Sequence, residues 1–385
     1  MRILHCCLAN FYIDNYGYQE NVLSKMHKLQ GHDVAILAST EIFIDNAKLG
    51  YTKPSSYVTN DGIPITRIPY VSWLPHSIVK KLRIYKGIKK TLLAFNPDVI
   101  FIHGGTFVSI SDIIGYVKNR PNVKVYVDGH ADYINSASNW VSKNILHKII
   151  YRWGIQRIEP YTRRFYGTLP LRVSFLKEIY GTPSHKTELL LLGIDDSNIK
   201  FEEKEDIRKK KRRELSVKED EFVIITGGKI DRRKNIHILL KVISELKVND
   251  IKLIVFGDSN KEMEDEINLL SKNANIRNIG WILPDQAVDY FFASDLACFP
   301  GTHSVLWEQA VGLGLPAIFK RWAGIDHIDL NGNCILLDEI NEDILKNAIL
   351  NIFEDKLLFN NMKKTAEDGK KKFSYYEIAK KAIES

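Results

Sequence analysis

Residues 2–38 run as an apolar strand, a polar loop, an amphipathic helix and a second apolar strand, and this order restricts the fold more than any other feature. Arg2–Ala9 reads as the first strand, Gln19–Leu29 as the helix and Asp33–Ala38 as the next strand. A helix in that place is the crossover that two parallel neighbours require, so the sheet is expected to be parallel. Further strands are expected at Ile63–Ile68, Asp98–Ile102, Lys124–Val127 and in Glu188–Gly193. The order then restarts: strand Phe222–Thr226, helix Ile236–Leu246, strand Lys252–Phe256, helix Met263–Lys272, strand Arg277–Ile282, helix Asp285–Ala293 and strand Asp295–Phe299. Between the two βαβ-rich halves lies Glu202–Glu214, almost without apolar residues, which reads as a solvated helix or linker at a domain boundary.

A chain of 385 residues suits two or three domains, and 45% hydrophobic with 26% charged residues is ordinary for a soluble enzyme. The excess of 54 basic over 47 acidic residues gives +7, which suits anionic small molecules or an acidic membrane surface without pointing to nucleic acid. Stacking aromatics are absent from the basic run 202–214, which further argues against nucleic acid. Cys6, Cys7, Cys298 and Cys334 form no CxxC pair, and no histidine cluster has ligand spacing along the chain; neither a zinc site nor a disulfide framework is expected. The first residues read as a strand and not as a signal peptide, and no apolar run is long enough to span a membrane.

The stretch Phe299–Phe319 is the leading candidate for ligand contact. Pro300-Gly301 breaks a buried strand, Ser304 or Thr302 is expected to cap a helix, and Gly314 with Pro316 ends it. A helix opening beside a strand's carboxyl end offers N–H groups to a phosphate. Trp307, Glu308 and Gln309 on its first turns are expected to face the ligand. In any α/β domain the same pattern also arises as a plain strand-to-helix turn.

In the first half, His103 and His130 each follow a strand end, where open α/β sheets place their ligand crevice. Arg163, Arg164 and Arg172 form a cationic group without an evident purpose. His76–Ala94 reads as one amphipathic helix with Ile78, Leu82, Tyr85, Ile88 and Leu92 on its apolar stripe and lysines around it. Either that stripe packs into the core, or the helix rests on anionic lipid through Ile78–Leu92.

Several motifs resemble those of family 4 glycosyltransferases. In the second half these are Gly228-Lys229 followed by Arg233-Lys234-Asn235, Gly257-Asp258, Asn278-Ile279-Gly280-Trp281, and Pro300–Pro316. In the first half they are GYQE, GHDV, FIHGG, DGHAD and LLGID, with Phe373-Ser374-Tyr375 opening a closing helix. The resemblance implies an α/β GT-B fold, two facing Rossmann-like domains with an inter-domain cleft. It implies residues 1–200 for the acceptor, 201–365 for the nucleotide sugar, and a helix in 366–385 returning to the first domain. The implied reaction is sugar transfer with retention, independent of metal and cofactor, from a UDP- or GDP-sugar to a glycan or lipid-linked acceptor in surface polysaccharide synthesis. The implied place is the cytoplasm, peripheral to the inner face of the cell membrane.

The resemblance also assigns residues. His130, Lys229 and Lys234 take catalytic roles. Gly17, Gly228, Arg233, Gly257, Asp258, Trp281, Gly301, Thr302, His303, Ser304, Val305, Glu308 and Gln309 take the donor, and His103, Asp128 and Tyr18 the acceptor side. Two features depart from the family pattern. Its paired glutamates fall on Gly301 and Gln309, with Glu308 one residue out of register, and Lys229 replaces an arginine. An epimerase or hydrolase of sugar nucleotides on the same fold, using Asp128 and Asp132, is the enzymatic alternative. A basic membrane- or nucleic-acid-binding protein is the non-enzymatic one.

Overall fold

The computed structural model describes residues 1–384 apart from 45–47, 134, 135 and 138. Two units are present, one of Met1–Asp195 with Tyr375–Ser385 and the other of Asp196–Ser374. The first thus ends at Asp195 and not at 200, and residues 366–374 stay with the second.

The first unit contains β1 (Arg2–Cys7), β2 (Asp33–Ser39), β3 (Glu41–Ile44), β4 (Lys48–Tyr51), β5 (Ser55–Val58), β6 (Pro64–Ile68), β7 (Val99–His103), β8 (Lys124–Gly129), β9 (Thr162–Gly167) and β10 (Thr187–Leu189). One sheet has the order β10-β9-β8-β7-β1-β2-β6-β5, parallel except for the β5–β6 hairpin; β3 and β4 pair separately. The central strands read as near-continuous apolar runs, such as VIFIH in β7, because helices cover both faces, and β1 and β7 are buried almost throughout. The helix Tyr375–Glu384 packs on Gln19–Leu29 and buries Tyr375, Ile378, Ala379, Ala382 and Ile383 in the same apolar cluster. Tyr126 donates its hydroxyl to Ile383 O at 2.9 Å, fixing the end of that helix.

The second unit contains β11 (Phe222–Gly227), β12 (Ile251–Phe256), β13 (Ile276–Asn278), β14 (Leu296–Phe299), β15 (Ala317–Lys320) and β16 (Cys334–Leu337). They form one parallel sheet in the order β13-β12-β11-β14-β15-β16. Consecutive βα turns therefore open at one edge of the sheet, and the candidate donor residues other than Gly17 follow strand ends there.

Two expected elements differ. Residues 76–94 form two short helices, His76–Leu82 and Ile88–Phe95. Arg83 takes a left-handed φ of 52°, and the N–H of Tyr85 donates to Ser109 Oγ at 2.8 Å instead of continuing a helix. Tyr85, Ile88 and Leu92 are core residues while Ile78 is exposed, so Ile78–Leu92 presents no continuous apolar face to lipid. The run 202–214 is also no linker. Its helix, Lys204–Glu214, packs on the helix Pro284–Ala293 and buries Arg212. That guanidinium donates to Ala293 O, Lys218 O, Glu219 O and Glu221 O and pairs with Asp295 Oδ2 at 2.6 Å, which satisfies the charge a composition count treats as solvated.

Candidate functional site

The strand ends of the second unit converge through backbone contacts that exclude side chains. A Cβ on Gly257 would lie 1.9 Å from Gly228 O, and one on Gly301 would lie 2.3 Å from both C and Cα of Lys234. Only glycine permits either approach. Gly228 N donates to Phe256 O at 3.0 Å, Gly257 N to Gly280 O at 2.7 Å, and Ile230 N to Asp258 O at 2.8 Å. Thr302 N donates to Arg233 O at 3.0 Å and Asn235 Nδ2 to Pro300 O at 3.0 Å, which ties the loop after β11 to the loop after β14.

Lys234 sits at this junction. Its Nζ donates to Thr302 O at 2.8 Å and to His303 O at 3.2 Å, and an ammonium has three donors, so one remains for a ligand. Burial lowers its pKa, Asp231 opposes that and Arg233 adds to it. Arg233 is turned onto Asp231 at 2.7 Å, and Asp231 also caps the turn by accepting from Arg233 N. Lys229 and Asp258 are exposed, and Trp281 presents 62% of its surface.

The segment after β14 departs from expectation in three ways. The helix Leu306–Gly312 begins one residue later than a Ser304 cap requires; Val305 stands at its N-cap, exposed and without a side-chain cap bond. Trp307 does not face a ligand: it is fully buried and stacked on Phe319 at 4.6 Å. Glu308, also fully buried, turns inward and accepts from His303 Nε2 and His327 Nε2, each at 2.8 Å. Burial pushes its carboxyl up, but the two imidazoles outweigh that and hold it down at about 2. Gln309 is half-buried. The His303–Glu308–His327 group was not legible along the chain, because His327 joins from the loop after β15.

In the first unit, the structure gathers His103, Asp128 and His130 at the ends of β7 and β8, as their register pairs His103 with Asp128. They close a buried hydrogen-bonded line. His27 Nε2 lies 2.8 Å from Ala379 O, His27 Nδ1 3.0 Å from His5 Nε2, His5 Nδ1 2.9 Å from His103 Nε2, and His103 Nδ1 2.8 Å from Asp128 Oδ2. Four links need four protons, both terminal groups are acceptors, and three neutral imidazoles carry only three. The line therefore holds one extra proton. Burial, with the neighbouring imidazoles, drives His5 well down, and burial brings His27 to about 3, so both are neutral. Asp128, at the end of the line, has its carboxyl held well below the usual range: burial raises it, but His103 and His130 outweigh burial.

His130 Nε2 lies 3.6 Å from the same Asp128 oxygen. Burial opposes its charge, yet Asp128 and Glu20 raise its pKa, with Arg172 acting against them. Arg172, from the cationic group, donates to Asp132 Oδ2 at 3.2 Å and to Thr168 Oγ1. His130 and Asp128 line a pocket of about 460 Å³ with Asn10, Arg83, Thr106 and Tyr180, a size suited to a small-molecule group. His5, His27, Glu20 and Arg83 were missed as site residues. Tyr18 is exposed and stacked on Tyr16, and Gly17 is exposed with open space about it, so nothing there forces a close approach.

Residues 207–372 match the sequence profile of the family described as glycosyl transferases group 1. An uncharacterised glycosyltransferase of Methanocaldococcus jannaschii is 24% identical over 224 residues, 53% of this chain; the match spans about half that relative's length, 55%. Among solved structures, Anabaena HepE in complex with UDP and glucose superposes with a TM-score of 0.63 at 15% identity, covering 100% of this chain and 98% of the other. WaaG, a glycosyltransferase involved in lipopolysaccharide biosynthesis, gives 0.62 at 14% identity, covering 99% and 98%. These likenesses establish the fold. Residues 207–372 thus resemble the glycosyl transferases group 1 family, and the chain as a whole has the GT-B fold.

Proposed function

We propose that the protein is a retaining glycosyltransferase that moves a sugar from a nucleoside-diphosphate sugar to a glycan or lipid-linked acceptor. The observation that carries this reading is Lys234: a part-buried ammonium, fixed by two carbonyls where the loops after β11 and β14 meet, within the segment that matches the family profile. A departing diphosphate gains charge as the anomeric bond breaks. A fixed cation beside it lowers the barrier without reorganising. Lys229 and Gly228 lie on the same loop, and Gln309 offers the ribose a carbonyl oxygen that the inward-turned Glu308 does not. The acceptor oxygen bonds the anomeric carbon on the face the diphosphate leaves, and its proton passes to a diphosphate oxygen. His130 and Asp128, lining their pocket in the first unit, orient the acceptor.

HepE was crystallised with UDP and glucose, which makes UDP-glucose the first donor to test. Lys234→Ala is expected to lower kcat about 10²-fold or more, by analogy with removal of one oxyanion donor. It should weaken UDP binding as well, and Lys234→Arg should recover part of both. Undiminished transfer by Lys234→Ala would refute the assignment.

Surface polysaccharide or lipid-linked acceptors bring the protein to a membrane. No helix among the described residues is long and apolar enough to cross one. A peripheral contact finds its support in residues 140–153. Val141, Ile145, Ile149 and Trp153 recur every fourth residue along Ser142–Tyr151 and Arg152–Ile158 and the residue before them, Trp140 adjoins Val141, and all five are exposed, Trp140 at 70% and Ile149 at 62%. Lys148, Arg152 and Arg157 flank them, the arrangement of an interfacial helix on anionic lipid.

A further inference from the structure

His303, Glu308 and His327 come from three separate places: the loop after β14, the helix that follows it, and the loop after β15. Yet one potential ligand atom from each lies within 4.8 Å of the other two. Both Nε2 atoms approach the same carboxylate oxygen, Glu308 Oε1, at 2.8 Å. The other oxygen, Oε2, is buried and has no partner, and neither does the buried Nδ1 of His327. A buried polar atom without a partner costs free energy. No distribution of protons on the two rings pairs Oε2, which is left as an acceptor that a cation can take up.

Two imidazole nitrogens and a carboxylate oxygen converging on one point are the donor set of a borderline divalent ion. We propose that His303, Glu308 and His327 bind one zinc-type divalent cation. The present separations are those of hydrogen bonds. Ligands about 2.1 Å from a tetrahedral ion stand roughly 3.4 Å apart, so binding requires the Nε2 protons to leave and the rings to part. The ion takes over the role of those protons against Glu308 and clamps the loop after β14 to the loop after β15. His303 O is already held by Lys234, so the clamp also braces the junction described above. The sequence alone predicts no metal here, since His327 stands far along the chain from the other two. The proposal does not depend on sugar transfer, because the site needs no substrate to form.

The test is zinc binding by the full-length chain, freed of metal with a chelator that is then dialysed away. Titration with zinc chloride by calorimetry, backed by metal content after desalting, is expected to give one ion per chain, and magnesium chloride none. His303 is partly exposed, so His303→Ala should keep its circular dichroism spectrum and lose the ion; His327→Ala should lose it too. Zinc binding by neither the native chain nor any variant overturns the proposal, as does binding that survives both substitutions. Should the variants unfold, cobalt(II) added to the unaltered chain decides: visible bands of a low-symmetry nitrogen–oxygen site support it, and the spectrum of the hydrated ion alone refutes it. None of these readings involves a donor sugar, so their failure is distinct from failure of the transferase reading.

Discussion

At the scale of single residues, Gly301 is the position where sequence and site are most tightly bound. A methyl group there meets the carbonyl carbon and Cα of Lys234 at 2.3 Å and Arg233 O at 2.4 Å. These are backbone atoms and cannot rotate aside, so one of the two loops must move. Gly301→Ala is expected to cost about 1–3 kcal/mol, the range for forcing extra volume into a packed place, read as a lower midpoint in urea unfolding. It should also weaken nucleotide binding, because Thr302 N and Asn235 Nδ2 lose their register with the partner loop. Gly17, a glycine of the first unit with open space about it, supplies the control: Gly17→Ala should leave the midpoint unchanged. The family pattern puts a carboxylate at position 301. Here the close approach leaves no room for one, which accounts physically for the departure.

At the scale of elements, β11, β12 and β14 form close to where their sequences place them, because each is a short apolar run ended by glycine, proline or a polar pair, whereas β3, β4, β5, β9 and β16 were not expected. Residues 76–94 show what periodicity omits. The apolar spacing is regular across Arg83–Tyr85, but hydrogen bonding of Tyr85 to Ser109, distant in sequence, decides the break. Arg212 shows the same limit for charge, since its five acceptors come from the turn 218–221 and from residues 293–295. The buried histidine line was illegible for the same reason: His5, His27 and His103 come from two strands and a helix, and their last acceptor belongs to Ala379. Tyr85, Ile88 and Leu92 of Ile78–Leu92 are buried, whereas the stripe 140–153 is exposed. Its test is sedimentation with vesicles. Trp140→Ser and Trp153→Ser should each reduce binding to anionic vesicles about tenfold, from the loss of a large apolar side chain that would otherwise enter the lipid. Stability should barely change, since both rings are already in solvent. Equal binding by the double variant would exclude this helix as the contact.

At the scale of the molecule, the first unit is built from both ends of the chain, and its stability should carry the signature of the joint. His27 is where the helix Tyr375–Glu384 meets the strands, through Ala379 O on one side and His5 on the other. Its folded pKa is brought down to about 3 by burial, against which the bond to Ala379 acts, with His32 and His103 lowering it further. A histidine depressed in this way is neutral when folded, while the unfolded chain takes up a proton below its ordinary value of 6.5. Stability from this group is therefore complete above that pH and is lost as the pH falls towards 3. Between pH 7.5 and pH 5 the loss from His27 alone is about 2 kcal/mol. His5, lowered in the same sense, adds to it, whereas His130, raised, acts in the opposite direction. Urea unfolding of the full chain across this range should show the first unit weakening, followed through Tyr126, whose hydroxyl is bonded to Ile383. His27→Leu should be less stable at pH 7.5 yet depend less steeply on pH. An unchanged pH dependence in that variant would mean that His27 is not held neutral, and that the count of protons along the line from Ala379 to Asp128 is wrong.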